Sequence, residues 1–516
     1  MHSRLVYAIV LAPLLVFIAT GVLGIDFGYH WDEQFQFNLV QQTLKSWLLI
    51  PGWYQYPSVS YGLTLSGLLP HLLIAARVAG SDWHLVMEHL QLVAATPAYH
   101  LQVRVIFLLV SSLTIVWVFL QPLAAGRRWL EGLAAACLLG FSWEAAYHAR
   151  WIAPDAVLMQ FGALVVLLCT LILRQPERRF WMVAAAAAAG LGTGTKYPGG
   201  LLLVPVLIAT CQSHCAKRDL KRTAWIFLQV LLVFTAAYLV STPGTLLDPI
   251  RFSKDILYEM GHYQTGKFDQ SVAPGAAHLG LILTYLARVI FSPDQAIALF
   301  LFILILAGIY ALIRQRQPDT AVVLVFPALY LAYFCMQSVM AARNLLVTFP
   351  FLAVLAARGI FFVYERLPQR IMRQAWAGLL AVLLLINAAW LFSAAGTIRF
   401  RSPQRFLDEF RIYAAQHPGT SYSVSPKIWQ GLQTLPTPPP ANVVPLDKSE
   451  TDRVVFYTTE GMQRPGDWPA NQPGLAEQTF GSQEVNLDYY PLWAGDDHIL
   501  VMSYQKARQL GFSIVK

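Results

Sequence analysis

Charge is what this sequence is short of. Only 13% of its 516 residues are Asp, Glu, Lys or Arg, about half the share of a soluble domain, while 56% are hydrophobic and the mean hydropathy is +0.49. That excludes an ordinary soluble enzyme. Cysteine is scarce too: Cys137, Cys169, Cys211, Cys215 and Cys335 all lie in hydrophobic runs or the short loops beside them, and none lies in the polar C-terminal segment. No disulfide framework is expected, and Cys211/Cys215 lacks the companion ligands of a zinc site. Internal repeats and heptad arrays are missing. The net charge of +8 makes no patch for a nucleic acid, because the basic residues are dispersed among short loops.

What is abundant is long apolar runs. Leu5 to Gly24 is long enough to cross a hydrocarbon core of roughly 30 Å, carries no convincing cleavage site and is followed by many more runs, so it reads as a retained first helix. Residues 25–101 are mixed: the acidic pair Asp32-Glu33, the aromatic turn segment from Pro51 to Pro57, and an apolar stretch from Val59 to Ala79 interrupted by Gly62, Gly67, Pro70 and His71. Juxtamembrane helices at the interface suit that composition, with Trp47, Trp53, Tyr54 and Tyr56 at headgroup depth. From Leu101 the runs become regular, at 102–121, 129–147, 155–173, 180–195, 197–211, 223–241, 296–313, 320–338, 344–364 and 374–395, making about eleven spans with the first.

The basic residues then set the orientation. Arg127-Arg128, Arg174/Arg178/Arg179, Lys217/Arg218/Lys221/Arg222, Arg314/Arg316 and Arg366/Arg370/Arg373 occupy every second loop if residues 25–101 form one outside loop. The positive-inside rule puts the N-terminus in the cytoplasm of a cell whose cytoplasmic (inner) membrane the chain spans many times. The acidic pair, residues 148–155, residues 242–295 and everything after Gly396 fall outside. That last region differs in kind: Pro436 to Pro440 is proline-rich, and Val454-Val455-Phe456-Tyr457 and His498 to Met502 read as strands. The expected organisation is a membrane domain over 1–395 and a small extracytoplasmic α/β domain over 396–516.

Ionisable residues converge on the outer side. Asp32 and Glu33 follow the first helix, Arg150 and Asp155 stand at the head of a span, and Lys196 and Arg343 break apolar runs at outer turns. Each has an ordinary reading: a solvated acidic pair, a helix start after Pro154, cations snorkelling to the interface, and structural histidines at His30 and His148. Together they suit one chemistry. A carboxylate accepts the proton of an attacking hydroxyl while cations neutralise a departing phosphate, and a membrane-anchored polyprenyl-phosphate sugar places its reactive carbon at this depth.

The order Trp31-Asp32-Glu33, Tyr56-Pro57-Ser58, Arg104, Arg150 to Asp155 and Gly194-Thr195-Lys196-Tyr197-Pro198-Gly199 resembles the GT-C superfamily of membrane glycosyltransferases over roughly residues 1–240, in the branch of protein O-mannosyltransferases and lipid A aminoarabinose transferases. The resemblance implies a GT-C-like polytopic helical fold and an inverting transfer of a sugar from a polyprenyl-phosphate donor to a lipid, glycan or protein acceptor. It implies Asp32 as catalytic base or acceptor-orienting carboxylate, Glu33 as its support and Asp155 as a second acid positioning acceptor or metal. Lys196 and Arg343, with Arg150 beside them, are implied as binders of the donor phosphate. The family's paired prolines and leucine are replaced here by Pro57-Ser58-Val59. No cofactor is required by the sequence, although two acids and nearby histidines could hold a divalent ion. In the outer loop 242–295, the stretch Met260 to Asp269 has the composition of a mobile substrate loop, with His262, Tyr263 and Lys267 as its candidate residues. Two other classes fit a chain of this composition: a transporter or lipid flippase, which calls for polar residues strung through the middle of the spans, and a catalytically silent scaffold of the same fold.

Overall fold

The computed structural model describes residues 2–27, 31–80, 82–214, 220–266, 271–288, 290–399, 403–433, 435, 437–446, 451–457, 476–480 and 499–509. The chain divides into two compact units, Met1–Val22 with Asp32–Phe392, and Leu23–Trp31 with Ser393–Lys516.

The first unit is helical. Among the described residues six helices are long and apolar enough to cross a membrane: Pro97–Ala124, Pro154–Arg174, Lys221–Ser241, Gln295–Arg314, Ala342–Arg366 and Arg370–Gly396. A seventh is reached if Val59–Ser66 and Leu69–Ala79, bent by 47° at their junction, form one span. The chain is a multi-pass membrane protein; the expected first span is one 22-residue helix, His2–Leu23, and the other expected spans fold as shorter pieces. The run at 129–147 breaks where Ser142 caps a new helix, leaving Trp129–Gly140 and Trp143–Ala149. The run at 180–195 gives the 15-residue Arg179–Thr193 helix, and that at 197–211 opens with a 3-10 turn at Tyr197–Leu202, where Pro198 follows the extended Lys196.

Burial separates the helices by role. The hydrophobic window of Ala342–Arg366 is 94% buried and that of Pro154–Arg174 78%, whereas Lys221–Ser241 is 11% buried and Arg370–Gly396 17%. The first two therefore form the centre of the bundle, and the last two present their side chains to lipid. Gln295–Arg314 and Phe349–Arg366 meet backbone to backbone: a Cβ on Gly308 would collide with the Leu355 carbonyl, and one on Gly359 with the Leu304 carbonyl. Gly308→Val is expected to destabilise the protein by about 1–3 kcal/mol or more, read as a lower unfolding temperature in detergent. An unchanged temperature would remove this contact from the account.

Two polar clusters mark the bundle's ends. Arg104, Asp155 and Arg343 lie near the starts of their helices, and Lys196 follows the end of the antiparallel Arg179–Thr193 helix. Fifteen residues along Pro154–Arg174, about 22 Å at 1.5 Å per residue, Thr170 accepts from Gln121 Nε2 at 3.0 Å. Gln121 also reaches Asp319 at 3.1 Å, Arg127 holds Asp319 at 2.7 Å, and Arg358 holds Glu131 at 3.2 Å. This second cluster ties the opposite end together. The helices Trp31–Ser46, Val59–Ser66, Leu69–Ala79 and Trp83–Ala94 are seated by an apolar cluster that includes Val40, Tyr61, Leu90, Val103 and Phe107.

The second unit carries a five-stranded sheet with β1 Tyr422–Val424, β2 Val443–Pro445, β3 Arg453–Tyr457, β4 Gln478–Phe480 and β5 Ile499–Ser503, in the order β2-β1-β3-β5-β4. β1 runs parallel to β2 and β3, and β5 antiparallel to β3 and β4. Alternation along the central strands fills both faces: Val455, Tyr457, Ile499 and Val501 pack with the Pro403–Gln416 and Pro426–Gln433 helices, and Val454, Phe456, Leu500 and Met502 pack with Ala507. Both expected strands are present, and β3 and β5 read as unbroken apolar runs because neither face meets water.

Candidate active site

The Trp31–Ser46 helix opens with both acids in its first turn, where the helix dipole favours negative charge. Both are buried, yet they face opposite fates. Glu33 is saturated. Its Oε1 accepts from Arg104 Nε at 3.1 Å and from the Ile152 backbone N–H at 3.1 Å, and its Oε2 from Arg104 Nη2 at 2.6 Å and His100 Nε2 at 2.8 Å. Burial by itself would raise this carboxyl, but Arg104 and His100 outweigh it and hold Glu33 well below the usual carboxylate range. One side chain thereby ties the Trp31–Ser46 helix to the Pro97–Ala124 span and to the loop before Asp155.

Asp32 is only half engaged. Its Oδ2 pairs with Arg343 Nη1, while Oδ1 is buried and accepts no hydrogen bond from any described residue. Arg343 stands at the start of the 3-10 turn Ala342–Thr348, and its Nε also lies 3.9 Å from Asp155 Oδ2. Asp155 follows Pro154 in the first turn of its helix, and its Oδ1 accepts from Lys196 Nζ at 2.6 Å. Lys196 donates to Asn344 Oδ1 at 2.5 Å, and Asn344 Nδ2 donates to Tyr263 Oη at 3.3 Å. The result is a continuous chain, Asp32–Arg343–Asp155–Lys196–Asn344–Tyr263, drawn from residues as much as 311 positions apart. Its two carboxylates and two cations balance, so an anion can enter by exchanging partners rather than by bringing unpaired charge into a buried place.

Lys196 and Tyr263 open onto a cavity of about 700 Å³. Its wall is mostly aromatic and aliphatic, with Tyr56, Phe252, Met260 and Phe334 beside them. Burial, with Asp32 nearby, pushes the Tyr56 phenol well above its ordinary range, so it stays neutral and can donate. The loop that carries Tyr56 is held firmly. Tyr54 N–H donates to Asp255 at 2.7 Å, Tyr197 Oη donates to the Tyr54 carbonyl at 2.6 Å, and Val59 N–H donates to the Gly194 carbonyl at 2.9 Å. The Pro57-Ser58-Val59 departure is thus accommodated by backbone bonds, with Ser58 N–H donating to Thr242 at 3.3 Å.

Other sequence candidates are placed differently. Arg150 is fully buried behind the chain, donating to the carbonyls of Ala146 and Thr20 at 3.3 Å each, with its guanidinium 5.7 Å from the Trp143 ring. It is not part of the cavity wall. His148 lies 3.5 Å from Glu144 on the Trp143–Ala149 helix. The expected mobile loop is helical as far as Thr265: Pro249–Thr265 is one amphipathic helix whose inner side lines the cavity, and Gly266 turns the chain at φ +88°. On that helix Tyr263 joins the site and His262 stacks against Tyr258. Lys267, like His30, lies outside the described residues.

Sequence reasoning passes over His100, Asn344, Tyr330 and Glu259. His100 carries a signal, since its spacing of four from Arg104 puts both on one helix face. Asn344, whose carbonyl accepts from Tyr330 Oη at 2.9 Å, has none beyond its neighbour Arg343. Among the described residues no group of three His, Cys, Asp or Glu side chains could hold a metal ion. The carboxylates of Asp32 and Asp155 face the cations Arg343 and Lys196.

Comparison with known proteins places this architecture. Residues 91–241 match the family model described as dolichyl-phosphate-mannose-protein mannosyltransferase. The structure is similar to that of ArnT from Cupriavidus metallidurans bound to undecaprenyl phosphate, with a TM-score of 0.52 and 14% identity over 97% of this chain and 98% of that one. The apo ArnT structure gives the same TM-score of 0.52 at 15% identity and the same coverage. The apo oligosaccharyltransferase of Archaeoglobus fulgidus matches at a TM-score of 0.50 and 12% identity over 86% of this chain and 61% of that one. No curated protein sequence matches the chain.

Proposed function

We propose, from the premise that this chain has the GT-C fold of membrane glycosyltransferases, that it moves a sugar from a polyprenyl-phosphate carrier to an acceptor hydroxyl with inversion at the anomeric carbon. The acceptor oxygen attacks that carbon, the bond from the carbon to the phosphate oxygen breaks, and the hydroxyl proton passes to Asp32 Oδ1. The carrier phosphate leaves with one more negative charge than it had in the donor, and Lys196 and Arg343 are the cations within reach of it. No step passes through a metal ion.

The observation that carries this reading is the join between the charged chain and the apolar cavity. Lys196 belongs to both: its Nζ binds Asp155 and Asn344, and its side chain borders the aromatic wall. A phosphate at Lys196 would leave its prenyl units along Phe252, Met260 and Phe334, where a hydrophilic sugar nucleotide would find little to bind. Asp155 acts here by positioning Lys196 and Arg343, and Glu33 by fixing Asp32. The acceptor is a lipid, glycan or protein hydroxyl at the outer face of the cytoplasmic membrane.

The test is a transfer assay with purified protein and a panel of polyprenyl-phosphate sugars, run with and without chelator. Transfer from at least one such donor, unaffected by chelation, is expected. Turnover of nucleotide sugars alone would overturn the donor assignment, and loss of activity on chelation would overturn the metal-free mechanism.

Glu33 supplies a separate prediction. Glu33→Gln removes the charge that holds Arg104 and His100, and breaking such a buried pair costs about 3–5 kcal/mol. Because the folded carboxyl is held below its unfolded value, this stabilisation is fully present above about pH 4.3 and is lost only as pH falls from there through the lowered folded value. Unfolding in detergent followed from pH 7 to pH 3 should show an acid-side loss of stability that is smaller in the variant; parallel curves would sink the assignment.

A further inference from the structure

A second groove lies far from the candidate active site, between the Arg179–Thr193 and Leu220–Ser241 helices. It has a volume of about 380 Å³, and its wall includes Arg179, Met182, Val183, Trp225, Gln229 and Val230. The two helices run the same way, since Leu203–His214 returns the chain between them. They pack closely at Gly190, where a Cβ would strike the Phe234 carbonyl and lie 2.8 Å from the Ala237 methyl. Eleven residues earlier, about 16 Å along the helix, Arg179, Met182 and Val183 face Trp225, Ile226 and Gln229. The larger side chains of Arg179, Met182, Trp225 and Gln229 leave an apolar trough between the helices there.

The trough opens onto the membrane. Lys221–Ser241 is only 11% buried, and Phe180 and Trp225 are 67% and 56% exposed, as suits aromatic residues at the interface. Its mouth is basic. Among the described residues, Arg178, Arg179, Lys221 and Arg222 stand exposed at the starts of the two helices, with Glu177 as the acid beside them. Gln229 sits half-buried one turn deeper than Trp225, about 6 Å along the axis, close to the spacing between a phosphate and the ester carbonyls of a glycerophospholipid.

We infer that this groove is a binding site for an acidic glycerophospholipid, with its phosphate among the basic residues at Arg179, an ester carbonyl at the Gln229 amide, and an acyl chain lying on Met182, Val183 and Val230. The length of the Arg179–Thr193 helix, about 22 Å, separates Arg179 from the turn that carries Lys196, so the phosphate position is distinct from that of the proposed reaction.

Native mass spectrometry of the delipidated full-length protein in detergent tests it, with phosphatidylglycerol and phosphatidylcholine of matched chains as probes and undecaprenyl phosphate as competitor. At least tenfold preference for phosphatidylglycerol is expected. Arg179→Ala should weaken that binding by about fivefold, the effect of one basic residue near an anionic lipid, and Val183→Trp should fill the trough and abolish tight binding. If Val183→Trp fails to fold, Gln229→Leu provides the measurement, with a severalfold loss expected. Equal binding of the two phospholipids, wild-type binding in the variants, or displacement by undecaprenyl phosphate at a tenth of the phospholipid concentration would each overturn the inference, the last by making the groove a carrier-lipid site.

Discussion

Asp32→Asn is expected to reduce transfer by about 10²–10⁴-fold, the contribution of a positioned general base, while leaving the protein folded. The argument rests on the difference between two neighbouring acids. Glu33 has all its hydrogen-bonding capacity occupied by Arg104, His100 and the Ile152 amide, so a proton arriving there would have to displace one of these donors. Asp32 keeps Oδ1 open within the same buried turn. Asparagine preserves shape but cannot take the proton. It also weakens the hold on Arg343, which retains Asp155 at 3.9 Å as a second anchor, so the site should keep its form. The measurement is kcat with a saturating polyprenyl-phosphate sugar, beside an unfolding curve. A protein that still unfolds cooperatively with kcat reduced by orders of magnitude supports the base; full activity would remove Asp32 from that role. Asp32→Glu, which restores a carboxylate one methylene out of place, should recover part of the rate.

Much of this site is legible along the chain because membranes penalise buried charge so heavily. Asp155, Lys196 and Arg343 stand out as ionisable residues in apolar surroundings, and the structure joins all three. Period and length likewise give the long spans Pro97–Ala124 and Pro154–Arg174 and strands β3 and β5. What cannot be read are the partners. The pairing of Lys196 with Asn344 spans 148 residues and that of Arg343 with Asp32 spans 311, and no local pattern encodes such contacts. Composition also misleads at Met260 to Gly266: two glycines among polar residues suggest a loop, but the apolar side chains of Phe252, Ile256, Met260 and Tyr263 recur at helical spacing and pack along the cavity. The count of spans exceeds the number of full-length helices for a related reason. Runs such as 129–147 are mostly apolar because they are buried in protein, and a buried run can break at Ser142 without exposing its backbone to lipid.

Lys196→Met is expected to lower kcat/KM for the donor by about 10²–10³-fold, the scale of losing one preorganised electrostatic contact to developing charge. Two effects are combined in that number, and they can be separated. The substitution removes the cation at the cavity wall, and it also leaves Asp155 with Arg343 alone, a broken buried pair that costs about 3–5 kcal/mol of stability. Asp155→Asn in the same chain removes the stranded charge and puts a neutral amide beside Asn344, with which it can share hydrogen bonds. The double variant should therefore regain most of the stability without regaining turnover, a coupling expected of residues in contact. If the double variant recovered activity along with stability, Lys196 would be a purely structural partner of Asp155, and the phosphate would have to be met by Arg343. Lys196→Arg gives the complementary measurement. A guanidinium keeps the charge but cannot fit its wider fork between Asp155 Oδ1 and Asn344 Oδ1, which now hold a single ammonium at 2.6 and 2.5 Å. Partial activity with a raised KM for the donor and an unchanged KM for the acceptor is the expected outcome, because only the donor carries the phosphate that Lys196 is positioned to meet.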